Sequence, residues 1–293
     1  MKRAHLSLAA SIVVVVWSGV ASPCTLVFSA SGDERLAANN LDCSNVFPRV
    51  WFVPASDGQY GRYCFGTDDN ERIAEGGMNE KGLFIGVNAL DEDTGWQPDA
   101  ALPDWESWEG WYESGVPDGI LAKCATVDEA VAVFRAYNLL TLAHVKFLLA
   151  DAGGSSAIVE WSSGKLVVIP RVGVDHQVST NFVTSDHPVD DPPCARYRIA
   201  ATMMTEDPRR SASVEGLRAV LSATHLEFQT PTVLSSICNL VTGEIHLYYF
   251  HDFERVRVFR LHDEIRSERH GSLLSDLFMP KPYVAEVYES FRR

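Results

Sequence analysis

Basic residues are scarce in this chain of 293 residues. Lys and Arg number 25 against 39 Asp and Glu, for a formal net charge of −14. Nucleic acid and anionic membrane surfaces are therefore poor partners, since both reward clustered Lys and Arg. A neutral or cationic small molecule is easier to accommodate. The six cysteines (Cys24, Cys43, Cys64, Cys124, Cys194 and Cys238) include no C-x-x-C pair, which removes support for zinc and thioredoxin-like chemistry. There is no H-E-x-x-H, no phosphate-loop G-x-x-x-x-G-K-[ST] and no G-x-S-x-G elbow. Internal repeats and low-complexity tracts are absent. Past residue 23, no apolar run is long enough to span a bilayer. What is present is 46% hydrophobic, 10% aromatic and 22% charged content, an ordinary globular balance with ample material for a core.

The first 23 residues differ from the rest. Lys2 and Arg3 precede an apolar run that ends near Trp17, and Gly19, Val20 and Ala21 follow as small residues. This is the pattern of a secretory signal, and the run is short for a membrane anchor. The reading divides the chain into a signal peptide and short pro-segment, 1–23, and one domain, 24–293. It also predicts an exported protein, periplasmic or secreted, with no membrane association once the signal is gone. A cut after Ala21 leaves Ser22 and Pro23 ahead of Cys24, and these must be removed to free it. Export permits disulfides. Counting Cys24, six cysteines make three bridges. Setting it aside leaves five, which cannot all pair, and spacing does not choose.

From residue 24 the patterning is mostly strand-like. Thr25 to Ser29 and Leu36 to Leu41 flank a Ser31-Gly32-Asp33 turn. Val50 to Val53, Gln59 to Phe65, Ile73 to Gly77 and Leu83 to Val87 continue it, the last two joined through Asn79-Glu80-Lys81-Gly82. Helical spacing runs from Thr126 to Tyr137, with Thr126 or Asp128 as cap. Strands follow over His144 to Ala150, Ala157 to Trp161, Lys165 to Ile169 and Val178 to Phe182. Helices are expected over Arg196 to Met204 and Val214 to Ser222. A hairpin spans Val233 to Phe250, one more strand lies near Arg255 to Leu261, and residues 271–291 read as a helix broken at Pro280 and Pro282. Hairpins without βαβ alternation predict an α+β fold of antiparallel sheets covered by helices.

Residues 91–115 stand apart, with Trp96, Trp105, Trp108, Trp111 and Tyr112 among many acids. They read either as a surface loop whose aromatics pack down or as the wall of an apolar substrate pocket. The acidic segment 186–191 has no partner spacing for a metal and reads as a solvated loop.

Cys24 is the informative position. A cysteine freed at a chain start carries a thiol and an α-amine on one residue. The amine, with a pKa near ~8, can take the thiol proton and leave a nucleophilic thiolate. Two other readings stand beside this one. Cys24 is half of a disulfide, or it is a lipid attachment site, for which Pro23 is a poor preceding residue.

Five further features in chain order carry a resemblance. They are Cys24-Thr25, Asn39-Asn40-Leu41-Asp42, Gly77-Met78-Asn79-Glu80-Lys81-Gly82-Leu83, Ser179-Thr180-Asn181-Phe182 and Cys194-Ala195-Arg196-Tyr197. Together they resemble the choloylglycine hydrolase and penicillin V acylase family of cysteine N-terminal nucleophile hydrolases. The stretches around Val50-Trp51-Phe52-Val53-Pro54 and Tyr60 to Asn88 look most like its exported linear amide C–N hydrolase branch. The resemblance implies a four-layer αββα sandwich and an amidohydrolase that cleaves a non-peptide C–N bond without metal or organic cofactor. Cys24 matches the nucleophile, with its own amine as base. Asp42 matches the aspartate that orients that amine, and Asn181 the oxyanion-hole asparagine. Arg196 matches an arginine near the nucleophile, which would hold Asp42 or depress the thiol pKa. Asn79 and Gly82 are expected to shape the hairpin.

Two departures bear on substrate. Asn39 stands where the bile-salt and penicillin enzymes carry arginine, which argues against those two substrates. Asn88 aligns with the family's second oxyanion asparagine only after a one-residue deletion. Substrate contacts are expected from Asn39, Trp105, Trp108 and Trp111, and the Trp-rich loop suggests an apolar or aromatic acyl group. The expected partner is a small acyl amide such as an N-acyl amino acid or N-acyl-homoserine lactone. The resemblance also permits a homo-oligomer. Two other functions remain open: a noncatalytic exported binding protein on this scaffold, and an acyltransferase that shares the acyl-enzyme.

Overall fold

The computed structural model describes residues 24–67, 73–110, 115–188, 190–207 and 213–292. The expected signal and pro-segment, 1–23, lies outside them, as do Trp111 and Tyr112.

Among the described residues, fourteen strands form two antiparallel sheets. The smaller contains β1 (Thr25–Ser31), β2 (Glu34–Asp42), β10 (His176–Ser179), β11 (Thr232–Asn239), β12 (Glu244–Tyr249) and β13 (Arg257–Arg260), in the order β10-β1-β2-β11-β12-β13. The larger contains β3 (Arg49–Val53), β4 (Arg62–Gly66), β5 (Gly76–Asn79), β6 (Phe84–Ala89), β7 (Val145–Ala150), β8 (Ser156–Ser162), β9 (Lys165–Pro170) and β14 (His270–Leu273). Its order is β14-β3-β4-β5-β6-β7-β8-β9. The sheets face each other across a core that includes Leu26, Phe28, Leu41, Phe65, Phe84, Leu148 and Leu234. Each such fully buried side chain contributes about 1.5–3 kcal/mol through the area it removes from water.

Helices cover both outer faces. α1 (Gly115–Lys123) and α2 (Val127–Ala136) lie on the larger sheet, and α3 (Ala195–Glu206) with α4 (Val214–Thr224) on the smaller. α2 starts where the Thr126 side chain accepts from the Glu129 N–H, and it buries Val127, Ala130, Val131 and Phe134 at helical spacing. Ser213 caps α4 in the same way, by accepting from the Gly216 N–H. Both faces of the central strands are therefore covered, and β1 shows it: Leu26 and Phe28 enter the inter-sheet core while Val27 packs under α3 and α4. Three short helices near the C-terminus, α5 (Leu261–Glu264), α6 (Leu274–Leu277) and α7 (Tyr283–Arg292), complete the chain.

The strand expected over Val178 to Phe182 runs instead as β10, His176–Ser179, and two elements depart in kind from the sequence reading. Residues 271–273, read as the start of a helix, belong to β14 and pair with β3, His270 opposite Phe52 and Leu273 opposite Arg49. An open edge of the large sheet overrides local propensity there. Residues 115–123 gave no helical signal because Pro117 and Gly119 are poor helix formers, yet they form α1. Burial explains the override. Ile120 and Leu121 are fully buried, and Asp118 forms a buried ion pair with Arg62 of β4 at 2.5 Å.

The hairpin joining β5 and β6 turns as its residues dictate. Asn79 Oδ1 accepts the N–H groups of Lys81 and Leu83, and its Nδ2 donates to the carbonyls of Leu121 and Cys124. Gly82 has φ +78°, and a Cβ there would lie 2.2 Å from the Leu240 carbonyl oxygen. Gly82→Ala is therefore expected to destabilise the fold by at least about 1–3 kcal/mol. The midpoint of urea unfolding measures this, and an unchanged midpoint would show that the turn relaxes freely.

Candidate active site

Cys24 immediately precedes β1 and is 3% exposed. Its parity with Leu26 and Phe28 places it with the inter-sheet core. Two side chains, one from the larger sheet and one from a helix on the smaller, meet its carbonyl oxygen. Asn88 Nδ2, from β6, donates at 3.2 Å, and Arg196 Nη1, from the first turn of α3, at 2.7 Å. Asn88 is itself oriented by the Ser179 hydroxyl, which donates to its Oδ1 at 2.6 Å. The residue that needed a deletion to align thus sits directly on Cys24.

Arg196 is the hub. Besides Cys24 it donates to Thr25 Oγ1 at 3.0 Å and to Asn181 Oδ1 at 3.1 Å, and it stands 3.9 Å from Asp42 Oδ2. A planar guanidinium with five donors can serve these groups from one position, which an ammonium cannot. Asn181 in turn donates to the Ala89 carbonyl at 2.7 Å. That bond ties the segment after β10 to the end of β6, next to Asn88.

Asp42 ends β2 and is fully buried. The Thr232 hydroxyl donates to its Oδ1, while Oδ2 accepts no hydrogen bond among the described residues. Burial pushes the Asp42 carboxyl well above the usual carboxylate range, against the pull of Thr232 and Arg196. The Cys24 thiol is pushed up as well, by burial first and then by Asp42 and Glu75, with Arg196 opposing. Glu75 is a neighbour that the sequence did not mark. Its Oε1 accepts from the Thr67 N–H and hydroxyl, and burial raises its pKa.

The remaining expected site residues lie elsewhere. Asn39 is 2% exposed on the core side of β2, between Leu26 and Ser236, with no partner for its Nδ2 among the described residues. Trp105 and Trp108 correct the substrate-wall reading. They pack under α1 in the outer core, on the face of the large sheet away from Cys24. Gly119 lets α1 approach this loop closely, since a Cβ there would lie 2.4 Å from the Gly110 carbonyl oxygen and 3.2 Å from Trp108. Trp96 meets Trp161 across a cavity of about 250 Å³ on that same outer face. Trp111 is outside the described residues. The sequence reading gave no role to three supporting residues: Thr25 and Ser179, which stood only as motif members, and Thr232, which it did not mark. Each is a common hydroxyl on a strand or at its end, and it gains meaning only from the group placed opposite it.

All six cysteines are free thiols. Cys194 caps α3 beside Arg196. Burial would raise its thiol, but the Thr180 hydroxyl, the Arg196 charge and the N–H groups of Tyr197 and Arg196 outweigh this and lower it. Native labelling with iodoacetamide near neutral pH is therefore expected to modify Cys194 before Cys24, and the Cys24 rate should climb with pH. Peptide mapping of labelled sites reads the order, and equal rates at both cysteines would contradict these environments.

No family model and no curated protein matches the sequence. Solved structures do match. A penicillin V acylase from Agrobacterium tumefaciens aligns with a TM-score of 0.57 and 19% identity, over 77% of this chain and 82% of that one. A variant of conjugated bile acid hydrolase from Clostridium perfringens aligns with a TM-score of 0.68 and 15% identity, over 86% and 97%. An N-acylethanolamine-hydrolyzing acid amidase ortholog from Caenorhabditis elegans aligns with a TM-score of 0.52 and 17% identity, over 84% and 99%. Two facing antiparallel sheets between helical layers, matched over most of their length, give the chain the αββα fold of the choloylglycine hydrolase and penicillin V acylase family of N-terminal nucleophile hydrolases.

Proposed function

We propose that the protein is an exported amidohydrolase that cleaves a linear amide through a Cys24 acyl-enzyme. The observation that carries this reading is the convergence on Cys24 of Asn88, Arg196 and Asp42, from different elements of an N-terminal nucleophile hydrolase fold. Once residues 1–23 are removed, the Cys24 α-amine takes the thiol proton and the thiolate attacks the substrate carbonyl. Asp42 Oδ2 offers an acceptor to that amine. Asn181 stabilises the tetrahedral oxyanion, an effect worth about 3 kcal/mol in comparable sites. The amine leaves with the proton and water hydrolyses the thioester.

The charges near the thiol bear on the substrate. Among the described residues, Asp42, Glu75 and Arg196 act on it electrostatically. Arg196 is the one cation of the three and is already committed to Cys24, Thr25 and Asn181. With Asn39 in the family's arginine position, a neutral acyl amide fits better than an anionic one. The Trp-rich loop carries no argument for an aromatic acyl group, since Trp105 and Trp108 lie on the other face.

The test compares two forms of the protein, one starting at Cys24 and one retaining Ser22-Pro23. Each is mixed with a panel of N-acyl amides and quenched for intact mass. The first is expected to show an acyl adduct on Cys24 and turnover, and the second neither, because an acylated nitrogen cannot act as base. Turnover by the longer form would refute the mechanism.

A further inference from the structure

The larger sheet carries a polar row on its inward face, at the Cys24 end. Asn88 of β6 pairs with Lys146 of β7, and the Phe147–Val159 pairing sets Lys146 opposite Glu160 of β8. All three residues are fully buried. Burying a lysine and a glutamate costs several kcal/mol per ion, and an apolar pair often stabilises a fold at least as well. The two charges therefore call for an explanation in terms of what they hold.

They hold one segment. Lys146 Nζ donates to the Phe182 carbonyl at 2.6 Å and to Thr184 Oγ1 at 2.6 Å, and it lies 4.8 Å from the centre of the Phe182 ring. Glu160, 3.7 Å from Lys146, accepts the Thr184 N–H at 3.0 Å and the Ser185 N–H at 2.7 Å. Four hydrogen bonds from the buried pair thus land on residues 182–185, immediately after Asn181. On its other side Asn181 is tied to Ala89 and Arg196. The segment leaves β10 at Ser179, so its path from there is set by these contacts and not by a sheet ladder.

We propose that Lys146 and Glu160 are a positioning pair: they clamp residues 182–185 so that Asn181 is held against Arg196, the residue that also binds the Cys24 carbonyl. The inference rests on reading Asn181 as the oxyanion donor. Neither residue is catalytic, and both act through the segment. A displacement of about 1 Å at a donor of this kind can cost on the order of 10²-fold in rate. Lys146 also gives the clamp a pH limit. Burial pushes its ammonium down to about 8, while Glu160, Glu92 and Cys194 face it and favour the charged form. His187 is a further titratable side chain on this side, 3.6 Å from Glu92. Above that pH Lys146 becomes neutral, and the hold on the segment weakens.

The experiment uses the active full-domain protein with Glu160→Gln, and with Thr184→Val as the gentler variant because it keeps both charges. Two quantities are read: hydrogen exchange of residues 182–186 by mass spectrometry, and kcat and KM on whichever acyl amide the wild type hydrolyses. The expected result is faster exchange in that segment in both variants. With it, kcat should fall about tenfold or more and KM stay within about twofold, as for a lost transition-state contact. The wild-type kcat should also fall above about pH 8, and Lys146→Met should lack that limb. Unchanged exchange would overturn the clamp, and faster exchange with unchanged kcat would overturn its role in positioning Asn181. If the wild type hydrolyses no acyl amide, the hydrolase reading fails, and the exchange measurement still decides whether the pair holds the segment.

Discussion

Cys24→Ala is expected to remove amide hydrolysis down to background while the protein stays folded. The thiol is the only group on the proposed path that forms a covalent bond, so nothing else can take its place. The cost to the fold is small. Cys24 sits in the inter-sheet core at 3% exposure, and the substitution deletes one heavy atom from a packed site. Comparable deletions cost about 0.5–1.5 kcal/mol. The carbonyl of residue 24, which receives Asn88 and Arg196, is backbone and survives the change. Steady-state assays with thermal melts on the same preparation check both halves. An alanine variant that still turns over would sink the cysteine mechanism. Folded wild type that binds acyl amides and never forms an acyl adduct would favour the binding-protein reading.

Arg196 is expected to show the second large effect, on stability as well as on rate. Arg196→Met removes donors to Cys24, Thr25 and Asn181 and takes from the buried Asp42 the cation that faces it. Removing one partner of a buried charged contact typically costs about 3–5 kcal/mol. Arg196 is itself partly buried and its distance to Asp42 is 3.9 Å, so the lower end of that range is expected. Arg196→Lys separates the two effects. It keeps the charge but cannot reach three acceptors at once. The lysine variant should therefore fold near normally and still lose on the order of 10²-fold in kcat, as misplaced catalytic groups do. Chemical denaturation gives the stability and steady-state kinetics the rate. Wild-type kcat in Arg196→Lys would mean that charge alone suffices and that the fork to Asn181 is incidental.

The legible part of this protein was local. Strand alternation with turn residues marked β1, β2, β7, β8 and β9 to within a residue or two, because a turn such as Ser31-Gly32-Asp33 states its geometry in its own composition. Thr126 announced α2 by the chemistry of its side chain. Resemblance to short motifs singled out Asp42, Asn181 and Arg196, and the fold sets Arg196 between Cys24, Asp42 and Asn181. Three features resisted. α1 contradicts its own propensities. β14 is a strand because β3 has an edge to offer, which no window around residue 270 records. The tryptophans at 105 and 108 look alike in sequence whether they line a pocket or fill a core.

The sequence by itself determined most of the strands and helices, α1 and β14 apart, and which cysteine heads the first strand. Those properties follow from periodicity and turn chemistry within about a dozen residues. The tertiary structure alone decided the company that cysteine keeps. Asn88, Asp42 and Arg196 come from two sheets and a helix, Glu75 from a separate loop, and the Lys146–Glu160 pair from two further strands. Their meaning lies in contacts between residues far apart in the chain. A buried charge looks like any other Lys or Glu until the fold supplies both its desolvation and its partners.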